Sequence, residues 1–217
     1  MKKILSIVLL LALLAVALVS CKEPEDPTPA EARTTITAEE WAAACALANF
    51  TYEQKGTTVY TMNGETQTQE SSAICKRTAT VMYDKYVDEG ERTREYYDVI
   101  EDGVCYRLSS KEDGTFDVWT DEDTDLYTLA ETLDFEDATF ESLVYNAETK
   151  AYDYTMDEDG MTVTYSFYFE NGVITKIAAT ATMTQDTMSA TMTIEVTFSN
   201  IGTTTVEVPA FDKPSAQ

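Results

Sequence analysis

The sequence of 217 residues contains no histidine. Histidine is the usual general base, the usual partner of a nucleophilic serine or cysteine, and a common zinc ligand. Its absence excludes histidine-dependent catalysis and ordinary zinc sites. Paired carboxylates could still form a glycosidase-like site, but the sequence singles out no such pair. We therefore expect no enzyme: no catalytic residue, no metal and no cofactor.

Basic residues are scarce, with 15 Lys and Arg against 39 Asp and Glu and a net charge of −24. Nucleic acids and anionic lipid surfaces are bound through cationic patches, so we expect neither as an electrostatic partner. Strong acidity can also indicate disorder. A content of 44% hydrophobic and 11% aromatic residues is too high for that, and it indicates a folded acidic domain.

The first 21 residues have the pattern of a secretory signal. Lys2 and Lys3 precede an apolar run over residues 4–19, and Ser20 and Cys21 follow it. As a helix the run would reach only about 24 Å, short of the roughly 30 Å hydrocarbon core, so an uncleaved transmembrane anchor is the weaker alternative. Cleavage before Cys21 removes two of the 15 basic residues and leaves 197 residues with a charge of −26.

Leu18, Val19, Ser20 and Cys21 together resemble the lipobox of bacterial lipoproteins. In that family the cysteine thiol receives a diacylglyceryl group, the peptide is cut before the cysteine, and the new amine is acylated. The resemblance implies lipidation at Cys21, a membrane as partner through the N-terminal lipid, and a location at the periplasmic or extracellular face of the cell envelope.

Composition divides the chain into four predicted segments. Residues 1–20 are the signal peptide, and residues 21–35 are the lipidated cysteine with an acidic, proline-rich tether that cannot bury a core. Residues 36–210 form a single α+β domain, and residues 211–217 form a tail.

The domain begins with a complete helix start signal. Thr37 and Glu40 are spaced as a capping box, and Ile36 and Trp41 as a hydrophobic staple. A helix is expected from this cap to about Asn49.

From residue 50 onward the sequence alternates with a period of two. Six turn signals separate the β-rich runs: Asn63-Gly64, Glu89-Gly90, Asp102-Gly103, Asp113-Gly114, Asp159-Gly160 and Asn171-Gly172. About ten strands are expected, interrupted by a second helix over residues 125–133 that Asp123 or Thr124 would cap. Residues 161–170 and 188–199 alternate between apolar and mostly polar positions, which indicates an antiparallel sheet packed on one face.

Two short helices cannot cover ten strands unless the sheet curls. The predicted fold class is therefore α+β, a large curved antiparallel sheet (half-barrel) with the N-terminal and mid-chain helices on its concave face. With the lipobox and the Gly-Thr-Thr-Thr-Val-Glu-Val-Pro of residues 202–209, this pattern resembles LolA/LppX-type lipoproteins. Those half-barrels shelter acyl chains, and the resemblance implies a lipid-like ligand.

The predicted function is non-catalytic binding or carriage of a hydrophobic ligand. Its predicted lining residues are Trp41, Phe167, Phe169, Met188, Met192, Ile194 and Phe198. The alternative is an interaction or display module that binds protein or glycan through the outer sheet face, where tyrosines would be exposed unless they pair across strands. An apolar cavity of several hundred Å³ favours the carrier, and a filled interior favours the module. The oligomeric state is not indicated.

Cys45, Cys75 and Cys105 are an odd number of cysteines for an exported protein once Cys21 is lipidated. The predicted hairpins place Cys105 opposite about Ile100, with Cys75 two strands away. Two strand spacings are about 9.6 Å, beyond the roughly 7 Å Cα limit of a disulfide. We expect Cys75 and Cys105 to be buried thiols.

Asp121, Asp123 and Asp125 have the spacing of the first three ligands of an EF-hand loop. Leu126 and Thr132 stand where that loop needs glycine and glutamate, so a calcium site is the less favoured interpretation. A solvated loop before the second helix is favoured instead.

Overall fold

The structure, a computed structural model, describes residues 33–88, 93–121, 125–158, 160–185 and 188–214. Within these ranges the chain forms eleven strands, two α-helices and one 3-10 helix. The helices are α1 (Ala38–Cys45), α2 (Leu129–Thr132) and the 3-10 helix Phe140–Ser142. The strands are β1 (Phe50–Met62), β2 (Glu65–Arg77), β3 (Val81–Asp88), β4 (Thr93–Glu101), β5 (Val104–Ser110), β6 (Phe116–Asp121), β7 (Val144–Asn146), β8 (Ala151–Glu158), β9 (Met161–Glu170), β10 (Val173–Gln185) and β11 (Met188–Ser199).

All eleven strands form one antiparallel sheet. Two meanders, β1 to β6 and β7 to β11, are joined because β1 pairs with β11 over twelve residues, from Thr51 opposite Ser199 to Met62 opposite Met188. The order is β6-β5-β4-β3-β2-β1-β11-β10-β9-β8-β7, so β6 and β7 are open edges. The predicted α+β half-barrel is confirmed, with eleven strands in the described residues where about ten were expected.

The predicted turns form where Asx-Gly pairs supply a left-handed backbone. Asn63-Gly64, Asp102-Gly103 and Asn171-Gly172 each have both residues at positive φ, as a two-residue hairpin of the type I′ class requires. Asp113-Gly114 lies between β5 and β6 as expected, and Glu89-Gly90 and Asp159 lie outside the described residues. The turn at residues 78–80 was not predicted, because it contains no glycine. It is closed by the Thr78 N–H, which donates to the Val81 carbonyl at 2.8 Å.

Helix α1 begins at its predicted cap but ends early. The Glu40 N–H donates to Thr37 Oγ1 at 3.3 Å, and the Thr37 N–H donates to the Glu40 carboxylate at 2.8 Å. The expected end near Asn49 was wrong, since the helix stops at Cys45. Asn49 instead accepts from the Thr204 N–H at 2.8 Å and donates to the Thr204 carbonyl at 3.2 Å, which fixes the entry into β1.

Helix α2 is a single turn, not the predicted helix over residues 125–133. Its cap is Thr128, whose N–H donates to the Glu131 carboxylate at 2.7 Å and whose hydroxyl accepts from the Glu131 N–H at 3.4 Å. The predicted caps, Asp123 and Thr124, lie outside the described residues. The capping box therefore starts a helix of only one turn, because tertiary contacts outweigh local helix propensity in this segment.

The segment before α2 is held on the sheet by a buried arginine. Arg77 is 5% exposed, and its Nη2 donates to the Leu126 carbonyl at 2.8 Å. This hydrogen bond ties the Leu126 backbone to β2, two residues before the Thr128 cap. Burial lowers the pKa of Arg77, although the nearby Cys75 and Glu131 oppose the shift.

Trp41 is the centre of the core between α1 and the sheet. Its side chain is 4% exposed, and its ring centroid lies 4.8 Å from that of Phe167, 5.9 Å from that of Phe135 and 6.3 Å from that of Phe169. The indole N–H donates to the Ala138 carbonyl at 3.1 Å. One side chain therefore ties α1 to β9 and to the segment after α2.

Both ends of the described chain contact the sheet. The Arg33 N–H donates to Asn171 Oδ1 at 3.1 Å, and the Asn171 N–H donates to the Arg33 carbonyl at 2.7 Å. Near the other end, Lys213 Nζ lies 3.0 Å from a Glu101 carboxylate oxygen. The segment boundaries at residues 36 and 210 stay predictions.

We predict that Trp41→Ala lowers the free energy of unfolding by about 3–5 kcal/mol, because it removes a buried ring and leaves a cavity. Trp119→Ala is the matched control, since Trp119 is 43% exposed and should change stability by less than about 1 kcal/mol. Urea unfolding followed by circular dichroism measures both. Equal losses in the two variants would contradict the assignment of Trp41 to the core centre.

The three cysteines in the described part of the chain form no disulfide. Cys105 lies opposite Ile100 as expected. The unpredicted turn at residues 78–80 places Cys75 on β2, three strands from β5 rather than two. Three spacings are about 14 Å, so the geometry separates these thiols further than the sequence indicated.

We predict three free thiols per chain when the denatured, unreduced protein comprising residues 22–217 is titrated with Ellman's reagent. The reason is that Cys45, Cys75 and Cys105 all carry free thiols in the structure. A count of one thiol would show that two of them had formed a bridge.

Candidate functional site

The face of the sheet that packs against α1 and α2 is the concave face. Strand register shows which residues share it: Phe167, Ile177, Val196, Gln54 and Ala73 lie side by side on β9, β10, β11, β1 and β2. The helices cover one end of this face only. Two depressions of different chemistry are found on the rest of this face, and we call them the apolar groove and the polar cleft.

The apolar groove lies over β9, β10, β11 and β1, where α2 ends. It encloses about 160 Å³. Its lining residues are Gln54, Leu133, Asp134, Met161, Val163, Tyr165, Ile177, Ala179, Ala181, Met192, Ile194 and Val196. The Tyr165 hydroxyl lies 3.3 Å from the Leu133 carbonyl and 3.0 Å from that of Asp134, so the end of α2 is fixed as the rim.

Methionines extend the groove toward the open end of the sheet. Met161 lies opposite Met183 on β10, and Met188 lies opposite Met62 on β1. Met161 is 36% exposed, Met192 38% and Met62 57%. Flexible thioether side chains adapt to apolar partners of varied shape, and a clustered exposed apolar surface is typical of a binding site.

Six of the seven residues predicted to line a ligand separate into two groups. Four fill the core with 9% exposure or less: Trp41, Phe167, Phe169 and Phe198. Two lie in the wall of the apolar groove: Met192 and Ile194. Met188 is on the same face at the open end of β11, and the predicted lipidation site Cys21 lies outside the described residues. The role of these residues in binding stays a prediction.

The polar cleft lies on the other half of the concave face, over β3 to β6, and measures about 540 Å³. Its lining residues are Asp84, Tyr86, Arg94, Tyr96, Asp98, Arg107, Leu108 and Trp119. None of them was predicted as a site residue. The sequence offers no signal for them, because residues 83–86 and 94–98 are charged or aromatic at every position and so do not distinguish one face from the other.

Two carboxylates at the base of the polar cleft, those of Asp84 and Asp98, are partly buried. Burial raises the pKa of Asp84 to about 6; a hydrogen bond with the Cys75 thiol opposes the shift and the Asp98 charge adds to it. Burial also raises the pKa of Asp98, although Arg107 opposes it. Arg107 Nε lies 3.0 Å from Asp121 Oδ2 and 3.7 Å from Asp98 Oδ1, so its charge is shared by two carboxylates.

Within the described ranges, no three His, Cys, Asp or Glu side chains are grouped so as to hold a metal ion. Of the EF-hand-like positions, Asp121 is engaged with Arg107 and Asp123 lies outside the described residues. No helix in the described part of the chain has the length and apolar character needed to cross a membrane.

No protein-family model and no curated protein matches the chain. Among solved structures it is similar to a domain described as an outer membrane lipoprotein-sorting protein from Vibrio parahaemolyticus, at 8% identity and a TM-score of 0.30, covering 74% of this chain and 89% of the other. A DUF1329 family protein from Desulfovibrio piger is similar at 7% identity and a TM-score of 0.25, covering 76% and 92%.

A third similar structure is MucB in complex with MucA(peri), at 10% identity and a TM-score of 0.14, covering 75% of this chain and 94% of the other. Likenesses this weak assign neither a family nor a function to this chain.

We predict that Asp84→Asn is more stable than the parent by roughly 2–3 kcal/mol at pH 7.5. The native pKa of about 6 exceeds the ordinary value of 3.8, so the native state binds the proton more tightly and charged Asp84 destabilises the fold at neutral pH. The advantage of the variant should shrink as the pH falls from 6 to 4. Urea unfolding at stepped pH measures it.

Asp117→Asn is the control for this series. Asp117 lies on β6 and shares the concave face with Asp84, but its side chain is 68% exposed beside Lys111. It should show little change at any pH. A pH-independent effect of Asp84→Asn, or a loss of stability at pH 7.5, would contradict the burial of this carboxylate.

Proposed function

We propose that this protein binds or carries a hydrophobic, lipid-like ligand in the apolar groove, without catalysis, while a lipid on Cys21 holds it at the cell envelope. The observation that supports the proposal is that an apolar surface on the concave face remains uncovered beyond the helices. Met161 and Met192 in that surface are 36% and 38% exposed although they share a face with the core. Exposed apolar area of this kind is typical of binding sites.

The size of the groove limits the ligand that it would hold. Its 160 Å³ is below the roughly 300–1,000 Å³ of sites that enclose a drug-sized molecule, and below the several hundred Å³ expected from the sequence. The space beneath α1 is filled by the aromatic core around Trp41. A ligand would therefore lie beside α2, with one segment of an acyl chain in the groove and the rest along the methionines.

Such a ligand would be held weakly. Burying one methylene group contributes about 0.8 kcal/mol, so a segment of about six carbons would contribute roughly 5 kcal/mol before the cost of association. That gain corresponds to a dissociation constant nearer millimolar than nanomolar. Weak binding is compatible with a carrier that must also release its ligand.

A display module is the second candidate, and the opposite, convex face of the sheet favours it. The ring centroids of Tyr83 and Tyr97 lie 4.8 Å apart there, and Phe116 lies 5.7 Å from Tyr97. The filled core beneath α1 also matches this alternative. Half-buried aromatic rows pair across strands in many sheets, so this observation is less specific than the uncovered groove.

We predict that Met192→Glu abolishes saturable binding of a fluorescent fatty acid to the protein comprising residues 22–217, because a carboxylate in the groove opposes apolar contact. This form retains every strand and helix described here. Val59→Glu is the matched control. Val59 neighbours Thr58, the residue opposite Met192, but it points to the convex face and is 37% exposed.

Binding by the parent and by Val59→Glu, with none by Met192→Glu, is the expected result. Failure of the parent to bind any fatty acid or phospholipid saturably would overturn the carrier. Equal binding by all three proteins would place the ligand elsewhere. Circular dichroism of each variant checks that the sheet is intact.

A further inference from the structure

The polar cleft is separate from the apolar groove and larger than it. Its volume of about 540 Å³ lies within the range of small-molecule sites. It is built on β3 to β6, while the groove is built on β9 to β11 and β1, so the two depressions share no lining residue. The proposed carriage of an apolar ligand leaves this cleft without a role.

The base of the cleft carries excess negative charge. On one side, Asp84 faces the Cys75 thiol of β2, and Tyr52 of β1 lies beyond that thiol. Tyr86 is its neighbour on the same strand. On the other side, Asp84 faces Tyr96 and Asp98 of β4. The charged group that shifts its pKa is Asp98, a second carboxylate, and burial is the larger cause. The carboxylate of Asp84 is therefore partly buried beside a like charge.

The arginines of the cleft, Arg94 and Arg107, offset this charge only in part. Arg107 is already shared between Asp98 and Asp121, at 3.7 and 3.0 Å. Arg94 lies at the exposed rim, where water and salt screen its charge. The base of the cleft is therefore electronegative, in a chain whose net charge of −24 also attracts cations.

Aromatic rings surround this negative base. Tyr86 is 42% exposed and its ring centroid lies 6.0 Å from that of Tyr96 at an angle of 72°. Trp119, on β6, is 43% exposed. The faces of tyrosine and tryptophan rings attract cations, and carboxylates combined with such rings are typical of sites for ammonium groups.

We propose that the polar cleft binds a small organic ammonium ion, with Asp84 as its counter-charge and with Tyr86, Tyr96 and Trp119 as its walls. A bare metal ion fits less well, because the described residues offer no group of three metal-ligating side chains. A neutral polyol could contact the same rings but would leave the partly buried charge of Asp84 without a counter-ion.

The test is calorimetric titration of choline into the protein comprising residues 22–217 at pH 7.5. The control ligand is 3,3-dimethyl-1-butanol, which has the shape of choline without its charge. Choline should bind saturably, and the neutral analogue at least about tenfold more weakly. No binding of choline, or equal affinity for the two ligands, would overturn the proposal. The second result would indicate a site for neutral ligands.

Variants locate the site and keep the test interpretable. Asp84→Asn and Trp119→Ala should each weaken choline binding at least about fivefold, while Asp117→Asn should leave it unchanged. Parental binding should weaken as the pH falls below about 6, because Asp84 then becomes protonated. Unchanged affinity in Asp84→Asn would overturn the assigned role.

The two ligand proposals fail independently. Met192→Glu changes the groove and not the cleft, so it should bind choline as the parent does. Choline binding without fatty-acid binding would overturn the carrier alone, and fatty-acid binding without choline binding would overturn the ammonium site alone.

Discussion

The concave face of the sheet is larger than the area that the helices can cover. The other features of the molecule depend on this uncovered surface. Pairing of β1 with β11 joins two meanders into one continuous surface of eleven strands. Helices of eight and four residues lie against it. Where α1 lies, Trp41 and its aromatic neighbours fill the space, and beyond α2 the apolar positions of β9 to β11 stay open. The groove therefore follows from the geometry of the whole sheet.

The same register divides the concave face by chemistry. Inward positions of β9 to β11 are apolar, while those of β3 to β6 are mostly carboxylates, arginines and aromatic rings. Gln54 and Ala73, on β1 and β2, lie between the two halves. Removal from water affects the two halves differently. Burial of apolar surface is itself favourable, whereas burial of a carboxylate is unfavourable unless a counter-charge binds beside it. One face can therefore hold two unlike ligands.

Local features of the fold could be predicted from sequence, and features that depend on distant contacts could not. Strands β9 and β11 were predicted because apolar residues alternate in them, and the start of α1 because Thr37 and Glu40 are local partners. The path of the chain between α1 and β1 depends on the bond between Asn49 and Thr204, far along the chain, and the turn at residues 78–80 has no glycine to mark it. The polar cleft needs the register of four strands, and in sequence each of its charges resembles an ordinary surface residue.

The central claim is that the uncovered apolar surface holds a ligand. Native mass spectrometry of residues 22–217, produced in bacteria and purified without detergent, tests it most directly. Because the ligand is held weakly, we expect discrete additional masses after incubation with an excess of mixed bacterial lipids, and we expect organic solvent to release them as lipid. A bare polypeptide mass, unchanged after incubation with mixed bacterial lipids, would contradict the claim and favour the display module.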